Sequence, residues 1–491
     1  MKVLCLLVPA LLVCSAYSEN EHEMRARKLK SMVPKRASIR GLEQSQGIEV
    51  ISAIAGNEKA LTNYNIRFQK FQWTTPTDFM GVFPCVDKGC STLNVYPIQY
   101  KPIVPGVYTM NFTVRAMPGV KAFRFSYVQS GPINYPEVVY QSKILPTPED
   151  VINMPMQVRV SRVLQAESKV VMRIMWSQSP FSVSSSAPLG DILDRFTVSV
   201  GETSGIYTKS FGVKNVFNYD PSDLCDSSLG RPAATIGYVD PGLQVEVHAQ
   251  DLEYNKKYFY RIVDSKSKSI SEEKYLVTGP GPHQRTIIGI LGDQGQSVVQ
   301  IDEALEHTRT QHGMAQLTAP NSTNLMVYLA ENENVTSFAH IGDLPYSDGT
   351  LSLWDTWLFQ NEPVTSKYSY MVGIGNHEMD YSGNFANGTD SGGECGMPYI
   401  TFFPFASQNY SLSDKTPTGI VHSSGNQNPW YSYDNGLAHV TVMSSEHEFA
   451  KGSEQYKWLK ADLQSVNRSA TPWSIFLGHR PMYLSTNDHY D

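Results

Sequence analysis

Between residues 286 and 479 four short apolar runs each end on a glycine that is followed at once by a polar side chain. "TIIGIL" gives way to Gly292-Asp293, and "FAHI" to Gly342-Asp343, with Tyr346 three residues further on. "MVGI" gives way to Gly375-Asn376-His377-Glu378, and "SIFL" to Gly478-His479. Runs of this length suit buried strands, and the glycine lets the chain turn sharply at the strand end. Ligands of open α/β sheets bind beyond the carboxyl ends of the strands, so polar groups at four such ends would meet in one place. A single Asp after a strand is ordinarily a turn residue or a helix cap. Four in register constrain the chain to an α/β layer with a site at one edge.

Ahead of that region the pattern is different. In "VYTMNFTVRAMPGVKAFRFSYV" Tyr108, Met110, Phe112 and Val114 alternate with polar neighbours, a Met-Pro-Gly turn follows, and Phe123, Phe125 and Tyr127 alternate again. This predicts a β-hairpin with one buried face. Val170, Met172, Ile174 and Trp176 alternate likewise, as do Tyr258, Tyr260 and Ile262, with turn signals such as Asp240-Pro241-Gly242 between them, so a second small β-sandwich is expected. After "TGPGPHQ" the apolar runs alternate with helical patterns: one carrying Val298, Ile301, Leu305 and Thr308, then "LSLWDTWLFQ". A third is "SEQYKWLKADLQSV", with Ser453 as its cap and Tyr456, Leu459, Leu463 and Val466 on one face. The expected division is a signal peptide over 1–18, an N-terminal β domain over 19–150, a β-sandwich over 151–282 and an α/β domain over 283–491.

The chain of 491 residues is too long for one domain. Forty Lys and Arg against 47 Asp and Glu leave a net charge of −7 with no basic half, which argues against a nucleic-acid partner. The one basic cluster, seven Lys or Arg from Arg25 to Arg40, reads as a solvated arm or pro-segment. "MKVLCLLVPALLVCSAYS" has the charge, apolar stretch and small residues of a cleaved secretory signal, and no later run is long enough to span a membrane. Secretion, to the cell exterior or to a lysosomal or vacuolar compartment, makes Asn111, Asn321, Asn334, Asn387, Asn409 and Asn467 candidate glycosylation sites. It also leads Cys85, Cys90, Cys225 and Cys395 to pair, with three connectivities open and Cys85–Cys90 the obvious short loop. Oligomeric state is not readable.

Two carboxylates, an amide oxygen, a phenol and an imidazole (Asp293, Asp343, Asn376, Tyr346 and His479) are mostly hard donors, suited to Fe(III), Mn or Zn. A phenolate ligand needs a strong Lewis acid to displace its proton below pH 10, which points to trivalent iron. The motifs "GDQG", "GDLPY", "GNHE" and "FLGH", in that order, resemble those of the purple acid phosphatases, within the calcineurin-like metallophosphoesterases. The likeness extends through "IGYVDPG", "WDTW", "SGGECGMPY", "GSEQYKWL" and "TPWSIFLGHRPMY", and "DFMGVF" is similar to the extra N-terminal domain of the larger members.

The resemblance implies two β-sandwich (fibronectin/Ig-like) domains followed by an α/β metallophosphoesterase sandwich. It implies Fe(III) on Asp293, Asp343 and Tyr346, with Asp343 bridging to a divalent Zn, Mn or Fe held by Asn376 and His479. It implies His377 and His489 as phosphate-contacting catalytic residues, and hydrolysis of phosphate monoesters by a metal-bound hydroxide. The Tyr–iron pair would give the family its colour. Asp488 stands where many plant members carry His, and the family's later Gly-His-x-His does not occur before Asp491. The expectation is therefore of an α/β domain incomplete at its C-terminus and short of two metal ligands.

The rival readings are fewer. A nucleotide pyrophosphatase/phosphodiesterase would use the same scaffold, and an inactive truncated binding glycoprotein would keep the sandwiches without the chemistry. "CDSSLGR", Cys225 to Arg231, fits a cysteine-phosphatase loop, but a secreted chain would not keep its thiolate reduced. His377-Glu378 and His447-Glu448 lack the second zincin histidine, since Tyr381 and Lys451 stand there.

Overall fold

A computed structural model of the chain describes residues 2–8, 11–17, 48–55, 61–68, 78–85, 90, 98–103, 107–130, 136–165, 169–182, 189–225, 233–297, 318–379, 391–404, 421–422 and 429–483. The helical pattern expected over 298–308, the basic cluster 25–40, and His489, Asn387 and Asn409 lie outside them. Strands Lys2–Val8 and Leu11–Tyr17, within the expected leader, pair as an antiparallel hairpin. Among the described residues no helix is long and apolar enough to cross a membrane.

The first β region is two sheets packed face to face. Ile48–Ala55, Leu61–Phe68 and Thr109–Arg115 make one. Phe79–Pro84, Gln99–Pro102, Ala122–Ser130, Pro136–Gln141 and Leu145–Pro146 make the other. The hairpin expected across residues 108–127 does not form, because Thr109–Arg115 and Ala122–Ser130 belong to different sheets. The alternation is real, but the two apolar faces meet across the sandwich, with the Phe112 and Phe125 rings 5.2 Å apart. Residues 116–121 are thus an arch between layers. Tyr108, at the start of the pattern, is 37% exposed.

The second β region follows the expected pattern. Its strands lie in the order Met156–Gln165, Val170–Gln178, Leu243–Leu252, Lys209–Asn218, Phe196–Gly201, Lys257–Asp264, Lys274–Val277. The sheet closes over one core in which Trp176 meets Phe196 at 5.7 Å and Val170, Met172, Ile174, Tyr258, Tyr260 and Ile262 are buried.

Beyond residue 287 the layers change. Ile288–Leu291, Ser337–Ile341 and Ser369–Gly373 form an all-parallel sheet. Its inner face packs Ala339 and Met371 against Tyr431, Ala438, Val440, Val442 and Leu477 of a second sheet, made of Tyr431–Asn435, Ala438–Val442 and Trp473–Leu477. Its outer face is covered by helices Ala319–Asn332 and Ser352–Thr365 through Met326, Trp354, Trp357 and Leu358. Helix Glu454–Ser465 is capped by Ser453 as expected, its Oγ accepting the Tyr456 N–H. Its apolar face is shallower than expected: Leu463 is 44% exposed, and the helix is tied to its sheet by Asp462, which accepts from Ser432 and Thr441 at 2.6 and 2.8 Å. A β-rich N-terminal region thus precedes a two-sheet α/β sandwich.

Two buried arginines join the second β region to the sandwich. Arg159 donates to Phe402 O (2.8 Å) and Gln244 Oε1 (2.7 Å), and Arg162 to Thr278 O and Pro280 O (3.2 Å each) and Asp434 O (3.3 Å). Beside them Gln157 Nε2 donates to Asp355 Oδ1 at 2.7 Å. Burial pushes the Asp355 carboxyl up to about 7. A carboxyl whose pKa is raised by folding contributes stability below its unfolded pKa, and that stability is lost as pH rises through the folded value. Asp355→Asn should therefore melt with the parent at pH 4 and several degrees above it at pH 7.5 by scanning calorimetry. Its amide can also donate to Gln157 Oε1, which has no hydrogen-bond partner among the described residues.

Two disulfides form, Cys85–Cys90 and Cys225–Cys395. The second removes the Cys225 thiol from the rival cysteine-phosphatase reading.

Candidate metal centre

The strand ends converge as their sequence requires. Asp293 follows Ile288–Leu291, Asp343 follows Ser337–Ile341, Asn376 and His377 follow Ser369–Gly373, and His479 follows Trp473–Leu477. One ligand atom from each of Asp293, Asp343 and His479 lies within 4.8 Å of the others. Tyr346 closes the group, its hydroxyl donating to Asp293 Oδ1 at 2.6 Å. Asn376 Oδ1 stands 3.0 Å from His479 Nε2. Asp343 is fully buried, and Tyr346, Asn376 and His377 are nearly so.

Two glycines permit this approach. A Cβ on Gly375 would sit 2.3 Å from Asp343 Oδ1, and one on Gly342 would sit 2.7 Å from His479 Nδ1. The backbone is also forced: Asp293, Asp343, Tyr346 and Asp348 all have φ between +49° and +55°. Non-glycine residues in this region cost roughly 1–3 kcal/mol each and persist where the surroundings over-determine them. Here Glu378 supplies part of that, accepting the N–H groups of Asp343 (2.8 Å), Leu344 (2.7 Å) and Gly375 (2.9 Å). Burial, with the Asp343 charge adding to it, pushes the Glu378 carboxyl up to about 7.

The donor set fits a cation. His479 Nδ1 is 3.0 Å from the Ile341 carbonyl, which can only accept, so the proton belongs on Nδ1. The Nε2 lone pair then faces Asn376 Oδ1 at 3.0 Å and Asp343 Oδ1 at 3.3 Å, three electron-rich atoms that a positive ion between them would reconcile. Tyr346 tells the same story: burial and the Asp343 and Asp293 charges raise its hydroxyl well above the usual phenol range, so it keeps its proton unless a cation replaces it. Asp293, Asp343, Tyr346, Asn376 and His479 could each offer one atom, and their mix of oxygen and imidazole suits hard or borderline metals.

His377 faces the group without joining it. Its Nδ1 is 2.7 Å from Asp348 Oδ1, its Nε2 3.9 Å from Asp343 Oδ2, and its ring lies 4.4 Å from that of Tyr346. Asp348 was not legible as a site residue, since an Asp before Gly349 reads as a turn.

The four described glycosylation candidates, Asn111, Asn321, Asn334 and Asn467, are exposed. The two disulfides are consistent with an extracellular protein.

Residues 318–491 match the calcineurin-like phosphoesterase family. Probable inactive purple acid phosphatase 27 of Arabidopsis thaliana is 36% identical over 276 residues, 54% of this chain and 40% of its own. A nucleotide pyrophosphatase/phosphodiesterase of Hordeum vulgare is 34% identical over 213 residues, 43% of this chain and 51% of its own. The chain thus spans about half, or less, of the length of these curated relatives. Purple acid phosphatase PPD1 from yellow lupin (Lupinus luteus) seeds superposes with a TM-score of 0.65 at 22% identity, over 91% of this chain and 72% of that one, which shows a common fold.

Proposed function

We propose that this purple acid phosphatase-like protein, a chain carrying a calcineurin-like phosphoesterase domain, hydrolyses small phosphate monoesters at the Asp293–Asp343–Tyr346–Asn376–His479 centre. The convergence of those five side chains at strand ends carries the reading. Fe(III) would be held by Asp293, Asp343 and Tyr346, and a divalent Zn, Mn or Fe by Asp343, Asn376 and His479. When bound, such a pair supplies the positive charge that holds phosphate oxygens and acidifies water. The chain's own residues then orient and move protons. The Asp348 carboxylate accepts from His377 Nδ1 and fixes the ring, leaving Nε2 on the side of the centre to meet a phosphate oxygen. His489 would serve the leaving group. The leader expected over 1–18, the disulfides and the exposed acceptor asparagines support a secreted glycoprotein, and the separate cores of the three regions support boundaries near 150 and 282.

The test is expression in a secretory host, metal analysis, and turnover of p-nitrophenyl phosphate against bis(p-nitrophenyl) phosphate. Faster monoester turnover is expected. His377→Ala should lower it by roughly 10²–10⁴-fold, the usual worth of a positioned acid or base, with metal content unchanged. Preference for the diester would favour the activity named for the barley relative. Bound metal without turnover of either would place the chain with relatives named inactive.

A further inference from the structure

We propose that Glu394 is a positioning residue for the candidate centre, holding the far end of the loop that carries Tyr346 and Asp348. The inference rests on the reading of that centre as a metal site. Glu378 grips only the near end of the loop, at Asp343 and Leu344. The far end, with left-handed Asp348 and Gly349, lies outside any strand or helix. It has a turn bond from Thr350 N–H to Ser347 O (2.7 Å) before the helix that starts at Ser352. Glu394, fully buried, takes over there. Its Oε1 accepts the Ser347 hydroxyl and the Gly349 N–H (3.0 Å), and its Oε2 accepts Trp354 Nε1–H at 2.8 Å from the helix behind. Ser347 lies between the two residues that matter, Tyr346 against Asp293 and Asp348 against His377.

Glu394 is itself anchored. Gly392 packs so closely that a Cβ there would stand 2.1 Å from Asp348 O. The Gly392 and Gly393 carbonyls accept the Ala233 and Cys225 N–H groups at 3.2 and 3.0 Å, and the next residue, Cys395, is bonded to Cys225. Gly396 N–H reaches the Glu378 carbonyl at 2.8 Å, so the two glutamates share one support. The disulfide thus fastens the segment that fastens the loop.

Three variants of the full chain test this, each measured for Zn(II) affinity by chelator competition and for melting without metal. Glu394→Gln sets an amide NH2 against at least one of the donors that now meet oxygen, the Trp354 N–H or the Ser347 and Gly349 pair. It should weaken Zn(II) binding by roughly 10-fold, the low end of the cost of losing a partner behind the ligands. Ser347→Ala removes only the bond to the loop and should weaken binding several-fold. Trp354→Phe removes a bond to the same carboxylate from outside the loop, and should weaken binding less than Ser347→Ala does. If Glu394→Gln does not fold, the Ser347 and Trp354 pair decides alone. Parent-like affinity in both Glu394→Gln and Ser347→Ala, or equal weakening in Ser347→Ala and Trp354→Phe, would overturn the proposal. A parent chain that binds no Zn(II) would instead overturn the metal reading, and this inference with it.

Discussion

Asp343→Asn should abolish metal binding at the centre while leaving the metal-free protein at least as stable as the parent. Both halves follow from the geometry. Asp343 is fully buried and is the residue whose two oxygens face both histidines, Oδ1 toward His479 at 3.3 Å and Oδ2 toward His377 at 3.9 Å. Replacing it removes a ligand charge rather than a supporting partner, so the loss should exceed the 10–100-fold typical of supporting partners. The isosteric amide still accepts the His377 N–H through Oδ1, so the loop keeps its frame. Without a cation the parent holds a buried carboxylate near Asp293, and the amide relieves that repulsion. Metal titration should show no saturable binding, and the apo melting temperature should stay level or rise by a few degrees. A fall in both would mean that Asp343 serves the fold before the metal.

That separation of site from scaffold explains what was legible beforehand. A strand end that must turn and present a ligand needs a glycine and a polar residue in sequence, so Asp293, Asp343, Asn376 and His479 announce themselves locally. Groups that act through them do not. Asp348 and Glu394 sit in glycine-bounded turns where carboxylates are common for turn chemistry alone. Asp355 lies in an amphipathic helix, where a lone Asp reads as solvent-facing, yet it is buried against the neighbouring domain. Apart from exposed Tyr108, alternation along 110–114 and 123–127 gave the faces turned to the core, but a buried face does not say whether the next strand is a hydrogen-bonded neighbour or lies across the core. The Cys225–Cys395 pair needed the approach of segments 170 residues apart, which no local pattern encodes.

Gly375→Ala should do nearly as much damage as removing a ligand, though it adds only one methyl group. Its Cβ would stand 2.3 Å from Asp343 Oδ1 and 2.6 Å from Asp343 N, and the second of these is backbone. The carboxylate could rotate away, but the amide could not: it is held by Glu378 at 2.8 Å, as is Gly375 N–H at 2.9 Å. The strain must then pass into the loop through Asp343 to Tyr346, whose left-handed residues are already unfavourable. Overpacking at a tight site typically costs 1–3 kcal/mol, so apo stability should fall by roughly that amount and metal affinity with it. Gly373→Ala is the control two residues back, at the last residue of the strand: its Cβ would meet Ile341 Cα and Val442 Cγ1 at 3.4 Å, an ordinary contact. It should keep parent-like metal binding and melting. Equal behaviour of the two alanines in metal titration and thermal melting would show that the approach of Gly375 to Asp343 is incidental, and that the GNHE glycine shapes its own turn rather than the centre.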